Sequence, residues 1–182
     1  MSLFEYIMVL TSILIGLGIA ELLYGVVRLL RTEFKERFFL PQAIWALFIF
    51  LHLIIIWWTR WDLHENFEWN FLQLLLSLAA PILLFILAGL IFAKNKPSRD
   101  HYYQQRTSFF NILAVIIVIN FFHETLIEKS PILGLATPLL LIMFLATLAA
   151  RFSDKDWVQS LAAFICISLL GLFIGMTVFS LN

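Results

Sequence analysis

The sequence predicts an all-α integral membrane protein, a polytopic bundle of six transmembrane helices with both chain ends on the outer side. Three observations carry that expectation. Of 182 residues, 62% are hydrophobic and only 13% charged, too little polar material to clothe a soluble domain, which is about a quarter charged. Apolar residues run on for about 20 positions at a time, the length that crosses hydrocarbon as a helix. The basic residues fall in alternate connections.

Spans are expected over about 4–27, 38–58, 71–93, 108–127, 131–150 and 157–180, forming a single transmembrane domain over 1–182. No connection between them is long enough to fold by itself. The runs do not alternate in polarity, as the roughly ten-residue strands of an outer-membrane barrel would. Pro41 and Pro131 stand where spans two and five begin, positions at which a missing N–H costs nothing. Pro81 and Pro138 fall inside their runs and are expected to kink or unwind the helix.

Orientation follows from Lys and Arg. The first connection carries Arg28, Arg31, Lys35 and Arg37, the third Lys94, Lys96, Arg99 and Arg106, and the fifth Arg151 and Lys155. Only Arg60 and Lys129 fall in the second and fourth. Ten of twelve basic residues on one side put connections one, three and five in the cytoplasm. The first apolar run has no basic segment before it, so a cleavable signal peptide is not expected. The cytoplasmic face should meet anionic lipid headgroups, whereas Glu5, Asp62, Glu65, Glu68, Glu124 and Glu128 make the outer face net acidic. Trp57, Trp58, Trp61, Trp69 and Trp157 lie near span ends, as interfacial anchors do. Twelve basic residues against twelve acidic ones argue against a nucleic-acid partner. The absence of an Asn-x-Ser/Thr sequon points to a prokaryotic cytoplasmic (inner) membrane.

Ser12, Gly16 and Ala20 recur every fourth residue on the first span, and Gly171 and Gly175 form a GxxxG on the last. Such strips let backbones approach closely, here within the chain first and with a second copy or a partner membrane subunit as the alternative. Two halves of three spans would lie in opposite orientation, which permits an inverted repeat. The single cysteine, Cys166, excludes an intramolecular disulfide and reads as a packing residue.

Ionisable groups within spans mark candidate sites, because a charged side chain at that depth costs about 2.5–3.5 kcal/mol on insertion scales. Glu21 lies about 7 Å past the middle of the first span toward the cytoplasm. Gly18, Tyr24, Gly25 and Arg28 share its face, and Gln42 on the second span lies at similar depth. The group is either a proton or cation relay, or a carboxylate satisfied by Tyr24, Arg28 or Gln42. Nearer the outer face, His52 is at a depth close to that of Asn120, His123 and Glu124. These could form a cation mouth, a transition-metal site completed by Glu124 or Glu5, or a bis-imidazole haem site; the plain alternative is two interior histidines bonded to carbonyls. No dinucleotide loop, Walker lysine, nucleophile elbow or zinc-protease spacing is present. Enzyme status is therefore open, with a non-enzymatic role favoured and no resident cofactor expected.

A transporter or channel subunit for a cation or protonatable small solute ranks first. A membrane-embedded scaffold or accessory subunit ranks second, and a haem-bearing redox protein third. An outer-side reporter fused after Asn182 should be active in cells and a cytoplasmic one silent; the reverse pattern would refute the orientation.

Overall fold

The computed structural model describes residues 3–31, 39–60, 70–92, 98–126, 134 and 136–180. Six helices follow in chain order: α1 (Leu3–Arg31), α2 (Leu40–Arg60), α3 (Phe71–Ile91), α4 (Ser98–Leu126), α5 (Ala136–Phe152) and α6 (Asp156–Ser180). No strand occurs among the described residues. All but α5, which has 17 residues, are long and apolar enough to cross a membrane. The chain is a helical membrane bundle.

Helices consecutive in the chain run up and down. Gln42 on α2 reaches the Ile91 carbonyl of α3, while Trp57 near the far end of α2 donates to Ser12 near the start of α1, at 3.1 Å. The helices make a ring in the order α1, α3, α4, α5, α6, α2, and α2 also leans inward onto α3 and α4. It is the most enclosed of the five spanning helices. Trp45, Phe48, Ile49 and Leu53 of α2 are wholly buried, and Trp45 meets Phe48, Phe109 and Phe110 edge-on at 5.4–5.7 Å between ring centres. Outward faces are apolar as well: Ile13, Leu17, Ile82, Phe85, Val115, Leu141 and Phe164 are exposed. In water such a belt would be a large sticky patch; in a bilayer it is the ordinary surface.

Side chains satisfy several helix ends. The start of α3 carries a capping box, with the Gln73 N–H donating to Asn70 Oδ1 at 2.9 Å and the Asn70 N–H to Gln73 Oε1 at 3.0 Å. At its other end, Gln42 covers the Ile91 carbonyl and His101 of α4 bonds to the Leu90 carbonyl at 2.9 Å. The wholly buried Gln159 of α6 donates to Ala150 O at 2.7 Å and Ser153 O at 2.6 Å, closing the end of α5. Its Oε1 accepts from Tyr102 OH of α4 at 2.7 Å.

Several sequence expectations are corrected. Helix α4 begins ten residues before the apolar span that starts at 108, because Tyr102 packs on Phe39 and Phe110 and bonds to α6, making the polar start of α4 part of the bundle. Pro138 is not inside a helix run. It is the third residue of α5, in the first turn, where no intrahelical N–H is required; Pro81 does lie inside α3. Pro131, Trp61 and Trp69 lie outside the described residues. The inverted repeat is not in the packing either: α2 contacts four helices, whereas α5, its would-be counterpart, packs on α4 and α6.

The small-residue strips also face the other way. Ser12, Gly16, Ala20 and Gly171 are exposed and Gly175 is half-buried, and a Cβ added at Gly16, Gly171 or Gly175 would meet nothing within 4 Å. The close approaches within the chain use Gly18 and Gly25 instead. A Cβ on Gly18 would come within 2.9 Å of Leu53, and one on Gly25 within 2.0 Å of the Phe92 ring. Both lie on the buried stripe of α1 with Ile7, Thr11, Ile15 and Leu22. Gly25→Val should therefore destabilise the bundle by about 1–3 kcal/mol, as overpacking does, while Gly16→Val leaves it unchanged. Thermal unfolding in detergent, followed by tryptophan fluorescence, checks both.

Candidate functional site

A polar chamber lies among α2, α4, α5 and α6, toward the end of the bundle where α2 and α4 finish. Rise per residue explains its assembly. His52 on α2 and Asn120, His123 and Glu124 on α4 reach one level because the two helices run in parallel, with Trp45 beside Phe110 below and His52 beside Asn120 above. All four residues line the chamber, together with Thr59 and an apolar wall from Met143 of α5 and Leu169, Leu170 and Phe173 of α6. Its volume is about 80 Å³, enough for a few waters or one small solute.

His52 is 5% exposed, packed edge-on against Phe48 at 5.4 Å. The Asn120 amide nitrogen lies 3.0 Å from its Nε2. An amide NH₂ only donates, so Nε2 accepts and the neutral ring carries its proton on Nδ1. That Nδ1 is buried without a hydrogen-bond partner. His123 is 7% exposed, and Glu124 is half-buried one position on. Thr59 turns its hydroxyl back to the Ile55 carbonyl at 3.0 Å, which leaves its oxygen as an acceptor. The chamber thus offers a carboxylate, two imidazoles, an amide and a hydroxyl within apolar walls. It can hold a small cation or a protonated amine by charge and hydrogen bonds while the walls exclude larger, hydrated species.

The other sequence candidates do not join it. Glu21 is half-buried at the flank of the buried stripe of α1, lines neither the chamber nor the grooves beside α1 and α5, and makes no hydrogen bond or ion pair among the described residues. Arg28 stacks over the exposed ring of Tyr24 at 4.9 Å, a cation–π contact, and Gln42 is committed to Ile91 O. The carboxylate is therefore not satisfied by any of the three groups named for it. Gln42 instead lines an apolar groove of about 380 Å³ between α1 and α2.

The metal set is not assembled. Among the described residues no three His, Cys, Asp or Glu side chains come together to hold an ion, and Glu5 is exposed on α1. A haem between His52 and His123 would need several times the chamber's 80 Å³, since pockets for ligands of that class run from about 300 Å³ upward.

Sequence reasoning missed Thr59 and the α5 and α6 walls, and it missed Gln159. The last had a signal: Gln159 falls on one stripe with Ala162, Ala163, Cys166 and Leu170, all buried, so a polar side chain stands on the contact face of an apolar helix. No protein-family model, curated protein or solved structure matches this chain.

Asn120→Leu strips the buried His52 Nε2 of its donor and should cost about 1–3 kcal/mol. His52→Leu combined with Asn120→Leu should cost less than the two single changes added together. Unfolding midpoints of the three variants in one detergent test this.

Proposed function

We propose that the protein is a small transporter or channel subunit that takes up a cation or a small protonatable solute through the chamber of His52, Asn120, His123 and Glu124. One observation supports this reading above the others: the groups able to hold a cation converge on a water-sized space inside an otherwise apolar bundle. On the orientation read from the basic residues, the chamber lies toward the acidic outer face of a prokaryotic cytoplasmic membrane, where the surface charge raises the local concentration of cations. Its volume suits ammonium, a short alkylamine or a partly dehydrated monovalent ion. Glu124 supplies the counter-charge, and the Thr59 hydroxyl oxygen, its proton committed to the Ile55 carbonyl, supplies an acceptor. Glu21 stands apart from this chamber. The uncovered small-residue faces of α1 and α6 are where a second copy or a partner subunit would pack, and anionic headgroups would meet the basic end.

A scaffold or accessory role is the second reading, favoured by the filled core beneath the chamber, where Trp45, Phe48, Phe110 and Leu113 are wholly buried. Uptake of radiolabelled methylammonium into proteoliposomes separates the two. Transport predicts uptake above that of empty vesicles, lowered about tenfold or more by Glu124→Gln, the usual scale for losing a charged hydrogen-bond partner. Uptake no greater than that of empty vesicles, from correctly folded protein, would sink transport and leave the scaffold.

A further inference from the structure

We infer that the chamber selects a short primary alkylammonium, a cation with its charge at one end and carbon at the other, over ammonium and over alkali metal ions. The inference rests on the reading of the chamber as a cation site and names the class of cation. It is carried by a division of the walls into a polar half and an apolar half.

Four helices surround the space, in the order α4, α5, α6, α2 around the bundle. Every polar side chain in the lining comes from two of them: His52 and Thr59 from α2, and Asn120, His123 and Glu124 from α4. Every lining residue that α5 and α6 contribute is apolar, Leu140, Met143, Leu170 and Phe173 among them. Hydrogen bonding within the polar half turns it toward acceptance. The Asn120 amide nitrogen lies on His52 Nε2 and the Thr59 hydroxyl donates to Ile55 O, so the amide oxygen and the hydroxyl oxygen join the Glu124 carboxylate as acceptors.

Most small cations fit such a space badly. A dehydrated metal ion needs ligands on all sides, and on the side of α5 and α6 it would face hydrocarbon, where an uncompensated charge is costly. Among the described residues no three His, Cys, Asp or Glu converge to hold one. Ammonium has the same difficulty, because its N–H groups point in every direction and those facing the apolar wall would go unpaired. A primary alkylammonium, like the head of a lysine, gathers its donors at one end. With its nitrogen toward α4 and its carbon toward Met143 and Leu170, both 4% exposed, each end meets its own kind of wall. Room sets the length. At roughly 30 Å³ for each water-sized group, the chamber's 80 Å³ holds the nitrogen and about two carbons.

The test uses full-length protein in detergent at constant ionic strength, with potassium, ammonium, methylammonium, ethylammonium and butylammonium chlorides as probes. What is read is the concentration of each that gives the same rise in unfolding midpoint, a measure of relative affinity. That concentration should fall about fourfold for each carbon added from ammonium to ethylammonium, the usual gain for burying a methylene. Butylammonium should gain nothing further until Phe173→Ala, or Leu169→Ala on the same wall if the first does not fold, lengthens the apolar half. Glu124→Gln should abolish the rise for every amine. Potassium or ammonium as effective as ethylammonium would overturn the proposal, as would no rise with any probe. So would a gain that continues unchanged to butylammonium or survives Glu124→Gln, because the amine would then sit on general apolar surface. Uptake of radiolabelled rubidium and methylammonium into proteoliposomes decides transport separately. Rubidium uptake without amine binding would leave transport standing and this proposal refuted; amine binding without uptake would do the reverse.

Discussion

Hydrocarbon offers a backbone carbonyl no donor, and this single constraint organises the bundle. Three side chains answer it at helix ends: Gln42 for Ile91, His101 for Leu90 and Gln159 for Ala150. Each comes from a different helix than the end it covers. The caps therefore do more than close hydrogen bonds; they set the level at which α2, α4 and α6 stand beside their neighbours. With those levels set, His52 and Asn120 meet further along the same helices. The chamber is in this sense a by-product of satisfying backbone groups at the opposite end.

The same rule explains which polar residues are costly. His52, Gln42 and Gln159 are buried, and each has its place because a specific partner is presented to it. In the chamber, polar groups from two helices gather around space and not only around each other. Below it the aromatic packing of Trp45 with Phe48, Phe109 and Phe110 leaves no such space. Open space and filled core divide the bundle lengthwise.

Much of this was legible in the residues. Continuous apolar runs locate the helices because a helix is what a chain must form in lipid, and equal depth at 1.5 Å per residue brings His52 to Asn120, His123 and Glu124. Facing was harder to read. A soluble helix shows its buried side by contrast with a polar one, but α1 is apolar all round, so Gly16 and Gly18 look alike until Leu53 and Phe92 reveal which side is occupied. The early start of α4 escaped for a related reason: hydropathy marks where lipid begins, not where the helix does, and residues such as Arg99 and Gln104 are good helix formers in water. Glu21 drew notice through its depth alone, which says nothing about the direction in which it points.

Helix α5, with 17 residues, rises only about 25 Å, against a hydrocarbon thickness of about 30 Å. Its neighbours α4 and α6 are far longer. A bilayer can meet so short a helix by thinning on that flank. α5 also lines the chamber, so thinning there would bring headgroups and their water nearer to that wall.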